Sequence, residues 1–132
     1  MFDLVKAGIE LDDGELRHAK NPKTFELPPL ARRQSVQVGD YVQVIFDLPE
    51  GTERMWCLVV EAMNPEGKIR VSLGNDAYSE TEFKYGDEFE IEARHIIDVM
   101  TAKDMKAAVE FFKKRTKERL ENAAQTKGPS HD

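Results

Sequence analysis

One phrase occurs twice in this chain. Val38-Gly39-Asp40-Tyr41-Val42-Gln43-Val44 returns in outline as Tyr85-Gly86-Asp87-Glu88-Phe89-Glu90-Ile91. In each copy a Gly-Asp pair precedes residues that alternate between two faces. Glycine reaches positive φ without a Cβ penalty, aspartate bonds back to its own backbone, and the alternation suits a pleated strand. Two further strand-like runs lie between the copies, so residues 38–99 are expected to form one antiparallel unit.

The first strand is expected over Tyr41–Leu48, with apolar residues on both faces, which places it centrally in the sheet or in a curled one. Pro49-Glu50-Gly51-Thr52 reads as a loop. A second strand over Arg54–Met63 sets Trp56, Leu58 and Val60 on one face and Met55, Cys57 and Val59 on the other. Asn64-Pro65-Glu66-Gly67 is a hairpin turn leading into Lys68–Leu73, which has one wet face. After Gly74-Asn75-Asp76 a polar loop runs to Lys84, and the second Gly-Asp phrase launches Glu88–Ala93 with Phe89 and Ile91 inward.

Residues 1–37 lack a sustained period and are expected to form an arm. Met1–Leu11 reads as strand or short helix, Asp12-Asp13-Gly14 and Asn21-Pro22 as turns, and Thr24–Leu27 as extended chain, because Pro28 disfavours helix before it. A short helix is expected over Leu30–Ser35 with its arginines in solvent, and Phe25, Leu27 and Leu30 packed on the sheet. Thr101 can cap a C-terminal amphipathic helix over 101–124 whose apolar positions include Met105, Ala108, Val109, Phe112 and Leu120. Its first half is expected to dock, so that Phe112→Ala would cost about 3 kcal/mol, and residues 126–132 to be a disordered tail. The fold class is α+β, a single domain over 1–125 with a strongly curved antiparallel sheet of four or five strands, resembling a small SH3-like barrel.

Charge is unevenly distributed. Residues 1–100 hold eleven Lys or Arg against twenty Asp or Glu, whereas residues 101–132 hold eight against five. An acidic body repels a phosphate backbone and suits a basic partner. Cys57 is the only cysteine, which excludes an intrachain disulfide and a cysteine zinc cluster. No run is long enough to span a bilayer and no leader pattern opens the chain, so a cytoplasmic protein is expected.

Gly39-Asp40-Tyr41-Val42, Glu53-Arg54-Met55-Trp56, Gly67 with Leu73, Asn75 and Asp76, Lys84-Tyr85-Gly86-Asp87, and His95-Ile96-Ile97-Asp98 follow one another in an order and spacing that resembles an uncharacterised bacterial domain family including YegJ-like proteins. The resemblance covers about half of the chain, and Cys57 and Ala77 stand where the family pattern has valine and proline. It implies a small β-barrel-type unit of unknown role. By architectural analogy, it also points to a toxin-neutralising or regulatory partner protein.

Among candidate site residues, Trp56 is either a core side chain or a half-exposed platform for a partner. Asn75 and Asp76, with Tyr78, either close a turn or contact a ligand. Glu88, Glu90 and Glu92 alternate along one strand and form either a protective charged edge or a docking strip for a basic partner, near Glu80 and Glu82. Lys113, Lys114, Arg115, Lys117 and Arg119 complement the helix dipole or, with Tyr41, Trp56, Tyr78 and Tyr85 as stacking surfaces, serve a single-stranded nucleic-acid module. His95 and Asp98 are the one His and carboxylate pair at helical spacing, and Cys57 lies in an apolar strand where thiols are inert. No cofactor or metal is expected. The reading is a non-enzymatic module that binds another protein through an acidic barrel surface, monomeric or dimeric through the C-terminal helix, with the nucleic-acid module as the alternative.

Overall fold

The turns that open the two copies of the repeated phrase have the same hydrogen bonding. In the first, the Asp40 amide donates to the Gln37 carbonyl at 2.9 Å while the Asp40 carboxylate accepts from the Gln37 amide at 2.9 Å. In the second, Asp87 donates to the Lys84 carbonyl at 3.0 Å and accepts from the Lys84 amide at 2.8 Å. Gly39 and Gly86 take φ of 96° and 89°, where a side chain would be strained. Each turn then joins a neighbouring strand: Gly39 N and Asp40 O both bond Val59, and Gly86 N and Asp87 O both bond Leu73. The repeat therefore fixes the register of two strand pairs.

The computed structural model describes residues 1–74 and 83–127, and the chain divides into two compact units, Met1–Thr101 and Ala102–Asp132. In the first, the order is β1 (Glu10–Leu11), α1 (Gly14–Lys20), α2 (Leu30–Gln34), β2 (Tyr41–Leu48), β3 (Gly51–Glu61), β4 (Ile69–Leu73), β5 (Glu88–Ile91), a 3-10 turn (Ala93–His95) and β6 (Ile96–Met100). The antiparallel sheet runs β1-β2-β3-β4-β5, with β6 pairing the same edge of β2 that β1 uses. Irregularities opposite Gln43/Val44 and Val59/Glu61 curl it. The fold is α+β with a curled antiparallel sheet, as the alternation predicts.

The core lies on the inner face, where Val42, Val44, Phe46, Met55, Cys57, Val59, Ile69, Val71, Leu73, Phe89 and Ile91 are buried. Its centre is aromatic. Phe83 sits 5.3 Å from Phe46 and 5.2 Å from Phe89, ring centroid to ring centroid, and Phe2 closes over it at 4.9 Å.

Several expectations change. Met1–Leu11 yields only the two residues of β1 as regular structure. Asp12-Asp13-Gly14 is a helix start rather than a simple turn, because the Asp13 carboxylate accepts from Leu16 N and caps α1. β3 begins at Gly51, so Gly51 and Thr52 belong to a strand and not a loop. β6, unmarked by a turn of its own, is an added strand. Glu92 falls outside β5. Leu30 is 47% exposed and does not pack as expected.

The largest change concerns α2. Its helix forms where expected, but Arg33 does not face solvent: it is only 4% exposed. Its Nε donates to Pro28 O at 2.9 Å, and its NH1 donates to Glu15 Oε2 and to Ala93 O, both at 2.9 Å. One guanidinium thus joins α1, the segment before α2 and the 3-10 turn. The planar fork makes this possible, since its donors diverge in fixed directions.

Near the other end of the sheet edge, the Asp12 amide donates to Ile45 O at 2.9 Å. The Asp12 carboxylate is held by Arg17 and hydrogen-bonds the carboxyl of Asp47, which faces Glu10 across β1 and β2. Two carboxyls in contact share a proton. The hydrogen bond to Asp12, with burial, raises Asp47 to about 6.

The second unit is a single helix, α3 (Ala102–Lys127), longer than the expected 101–124 and continuing through Thr126 and Lys127. Phe112 is 67% exposed, with Val109, Phe111 and Leu120 also exposed. Among the described residues, no helix is long and apolar enough to cross a membrane.

Arg33→Met should destabilise the protein by about 3 kcal/mol, because the Pro28 and Ala93 carbonyls lose their donor where water reaches them poorly. Glu15→Gln should cost less than about 1 kcal/mol, as Glu15 is itself exposed. Urea unfolding of both variants checks the asymmetry, and equal costs would contradict it.

Candidate functional site

A groove of about 520 Å³ opens between the segment Lys23–Pro28 and the outer face of the sheet. That volume is within the range of ligand sites. Three strands supply the sheet side: Gln43 from β2, Arg54 from β3, and Ile97 with Asp98 from β6. Pleating explains why they converge. Gln43 stands opposite Asp98 on one side and opposite Trp56 on the other, and Arg54, two residues before Trp56, shares its face.

The opposite wall is held at both ends. His18 Nδ1 lies 2.7 Å from Phe25 O, and Arg33 Nε grips Pro28 O. Arg54 lies over the Phe25 ring with its guanidinium carbon 5.7 Å from the centroid, a cation–π contact that spans the groove. Between the two anchors, the backbones of Glu26 and Leu27 make no hydrogen bond among the described residues. An extended wall with free amides and carbonyls, opposite an amide side chain and a carboxylate, offers the donors and acceptors that a peptide backbone needs. Lys23 and Arg54 balance Glu26 and Asp98, so the groove is polar with mixed charge.

Trp56 is half-buried on the outer face beside this groove, with Leu58, Val60 and Tyr41. Its carbonyl accepts from Gly74 N at 2.8 Å, and a Cβ on Gly74 would lie 2.6 Å from that oxygen. Only glycine permits this approach of the two strands. Asn75, Asp76 and Tyr78, and likewise Glu80 and Glu82, lie outside the described residues.

The acidic row is shorter than expected. Glu88 and Glu90 are exposed on edge strand β5 and make no ion pair among the described residues. Glu92 instead accepts from Lys68 at 3.3 Å and Arg94 at 3.2 Å, and these cations hold its carboxyl below the usual range. Lys113, Lys114, Arg115, Lys117 and Arg119 are all exposed on α3.

His95 and Asp98 do not act on one another. The chain there is a 3-10 turn followed by β6, so their spacing is not helical. His95 is 6% exposed, and its Nδ1 accepts from Glu92 N at 2.9 Å. The Asp98 carboxylate accepts from Val99 N at 2.8 Å. Burial, aided by Arg94, lowers His95 to about 4, leaving a neutral ring whose proton sits on Nε2. Burial also pushes the Cys57 thiol far up, which removes its thiolate. Among the described residues no cluster of His, Cys, Asp or Glu is arranged to hold a metal ion.

The groove was only partly visible beforehand. The sequence marks Trp56 as a platform and Asp98 as the partner of His95, but gives no site role to Gln43, Arg54 or Phe25. Gln43 as the polar break in an apolar strand was the available signal.

Buried His95 and half-buried Asp47 give opposite pH dependences. Neutral His95 contributes stability that is full above its ordinary 6.5 and lost as pH falls toward 4. Protonated Asp47 contributes stability that is full below its ordinary 3.8 and lost as pH rises through about 6. The two should offset each other from about pH 4 to 6. Asp47→Asn should therefore lose up to about 3 kcal/mol on acidification from pH 6.5 to 4, more than the unaltered protein, in which protonation of Asp47 offsets part of the loss. Denaturant unfolding at a series of pH values reads this, and parallel profiles for the two proteins would disprove it.

No family model, curated protein or solved structure matches the chain.

Proposed function

We propose that this chain is a non-enzymatic interaction module that takes an extended segment of another protein into the groove between Lys23–Pro28 and the sheet. The observation that carries the reading is the unpaired backbone of Glu26 and Leu27 facing the Gln43, Arg54 and Asp98 strands across about 520 Å³. A segment entering there would exchange backbone hydrogen bonds with the wall and stack against the Arg54–Phe25 pair. Trp56 extends the contact surface as an aromatic anchor of the kind that dominates binding energy.

A basic segment is favoured. The body holds twenty acids against eleven cations over residues 1–100, and Glu88 and Glu90 are left without ion pairs among the described residues. Such a field speeds encounter with a cation-bearing partner and repels nucleic acid. The sheet fits the small SH3-like barrel reading. The role is regulatory or toxin-neutralising, by analogy with small bacterial domains of this architecture.

Phage-display selection of random peptides on the intact protein tests this. Selected peptides should be enriched in Lys or Arg and should bind at least about tenfold more weakly to Arg54→Ala, with circular dichroism unchanged. Peptides that bind Arg54→Ala and the unaltered protein equally would place recognition elsewhere.

A further inference from the structure

Apart from Phe111, the exposed large apolar residues of α3 lie on one narrow seam with half-buried Met105. Met105, Val109, Phe112, Thr116 and Leu120 follow at steps of four, three, four and four, which confines them to an arc of about 80° on the helix. Val109, Phe112, Thr116 and Leu120 line a shallow groove with Lys113 and Lys117. Thr116 suits such a seam because its hydroxyl already donates to Phe112 O at 2.9 Å, which lowers the cost of covering it.

The charges beside the seam all have one sign. Lys106, Lys113 and Lys117 follow one border and Arg115 and Arg119 the other, while Asp104, Glu110, Glu118 and Glu121 fall on the remaining face. Phe111 lies outside the seam and holds Arg115 over its ring, with the guanidinium carbon 5.8 Å from the centroid.

This pattern selects the occupant. A second copy of α3 would bring Lys and Arg borders together, in either orientation, and like charges beside a seam oppose pairing. A lipid surface needs a broad apolar face, and this seam is narrow and interrupted by Thr116. A nucleic acid has no use for Met105, Val109 and Phe112 in a row. Apolar steps near 3.5 residues with cationic borders complement a helix that carries its own apolar seam between carboxylates.

We propose that α3 is a docking helix for an acidic amphipathic helix of a partner protein. It is an interaction surface separate from the groove. Phe112 and Val109 supply the buried contact, and the Lys and Arg borders set orientation and encounter rate.

The test uses the full-length protein and a fluorescein-labelled synthetic heptad peptide with Leu at its seam positions and Glu along both borders. Anisotropy should show saturable binding that weakens at least about tenfold between about 0.05 and 0.5 M NaCl. Phe112→Ala, and separately Lys113→Gln with Lys117→Gln, should each weaken it by about tenfold or more, with helicity unchanged by circular dichroism. A control peptide with Ala in place of every Leu should not bind. No saturable binding of the Leu peptide overturns the proposal, as does equal binding of the Ala peptide. Two further outcomes overturn it: binding of phosphatidylserine vesicles or a single-stranded oligonucleotide in place of the peptide, and a dimer by light scattering that Phe112→Ala abolishes.

Discussion

The buried guanidinium of Arg33 is the contact on which the arrangement of the first unit around its groove depends. A charge taken out of water is tolerated only where hydrogen bonds replace its hydration, and here Glu15, Pro28 and Ala93 supply them from separate parts of the chain. The arm is anchored in the core at its ends by Ile9 and Val36, with Phe2, Leu4 and Leu11 packed against them, but its helices offer little apolar material, since Leu16 and Leu30 are exposed. A polar cross-link substitutes for a second core. It also fixes one end of the Lys23–Pro28 wall, so the groove exists because Arg33 is satisfied.

Close packing seconds this polar link. Gly14 is buried, and a Cβ there would meet Ile97 Cγ2 at 2.9 Å and Leu27 Cδ1 at 3.3 Å. The start of α1 therefore lies directly against β6 and the extended segment. A glycine chosen for close approach and an arginine chosen for its diverging donors do complementary work: one brings the elements together, the other determines which backbone carbonyls they share.

The features legible in the sequence are those whose chemistry is local. The Gly-Asp turns encode their own geometry within four residues, and the alternation of Val42, Val44 and Phe46 or of Phe89 and Ile91 declares which side faces the core. What escaped depends on residues distant in the chain. β6 carries no turn signal and becomes a strand because β2 has a free edge to pair. Arg33 looks like any arginine on a short polar helix until Glu15 and Ala93 are brought to it. Trp56 was ambiguous because its neighbours Met55 and Cys57 are buried while it shares the outer face with Leu58 and Val60. The groove is a product of those same long-range contacts, so Gln43 and Arg54 gave only weak notice of it.

The order of strands also has a kinetic side. β2 and β3 meet through a tight hairpin at Pro49 and Glu50, and β3 and β4 through the turn at Asn64–Gly67, so these pairings close short loops at small entropic cost. β6 and the arm must return to β2 from opposite ends of the unit. The pairings that close the longest loops carry the largest entropic cost, which sets the groove walls apart from the central hairpins. A segment lodged there would act as a clasp, slowing amide exchange in the arm and β6 while leaving the exchange of the central hairpin unchanged.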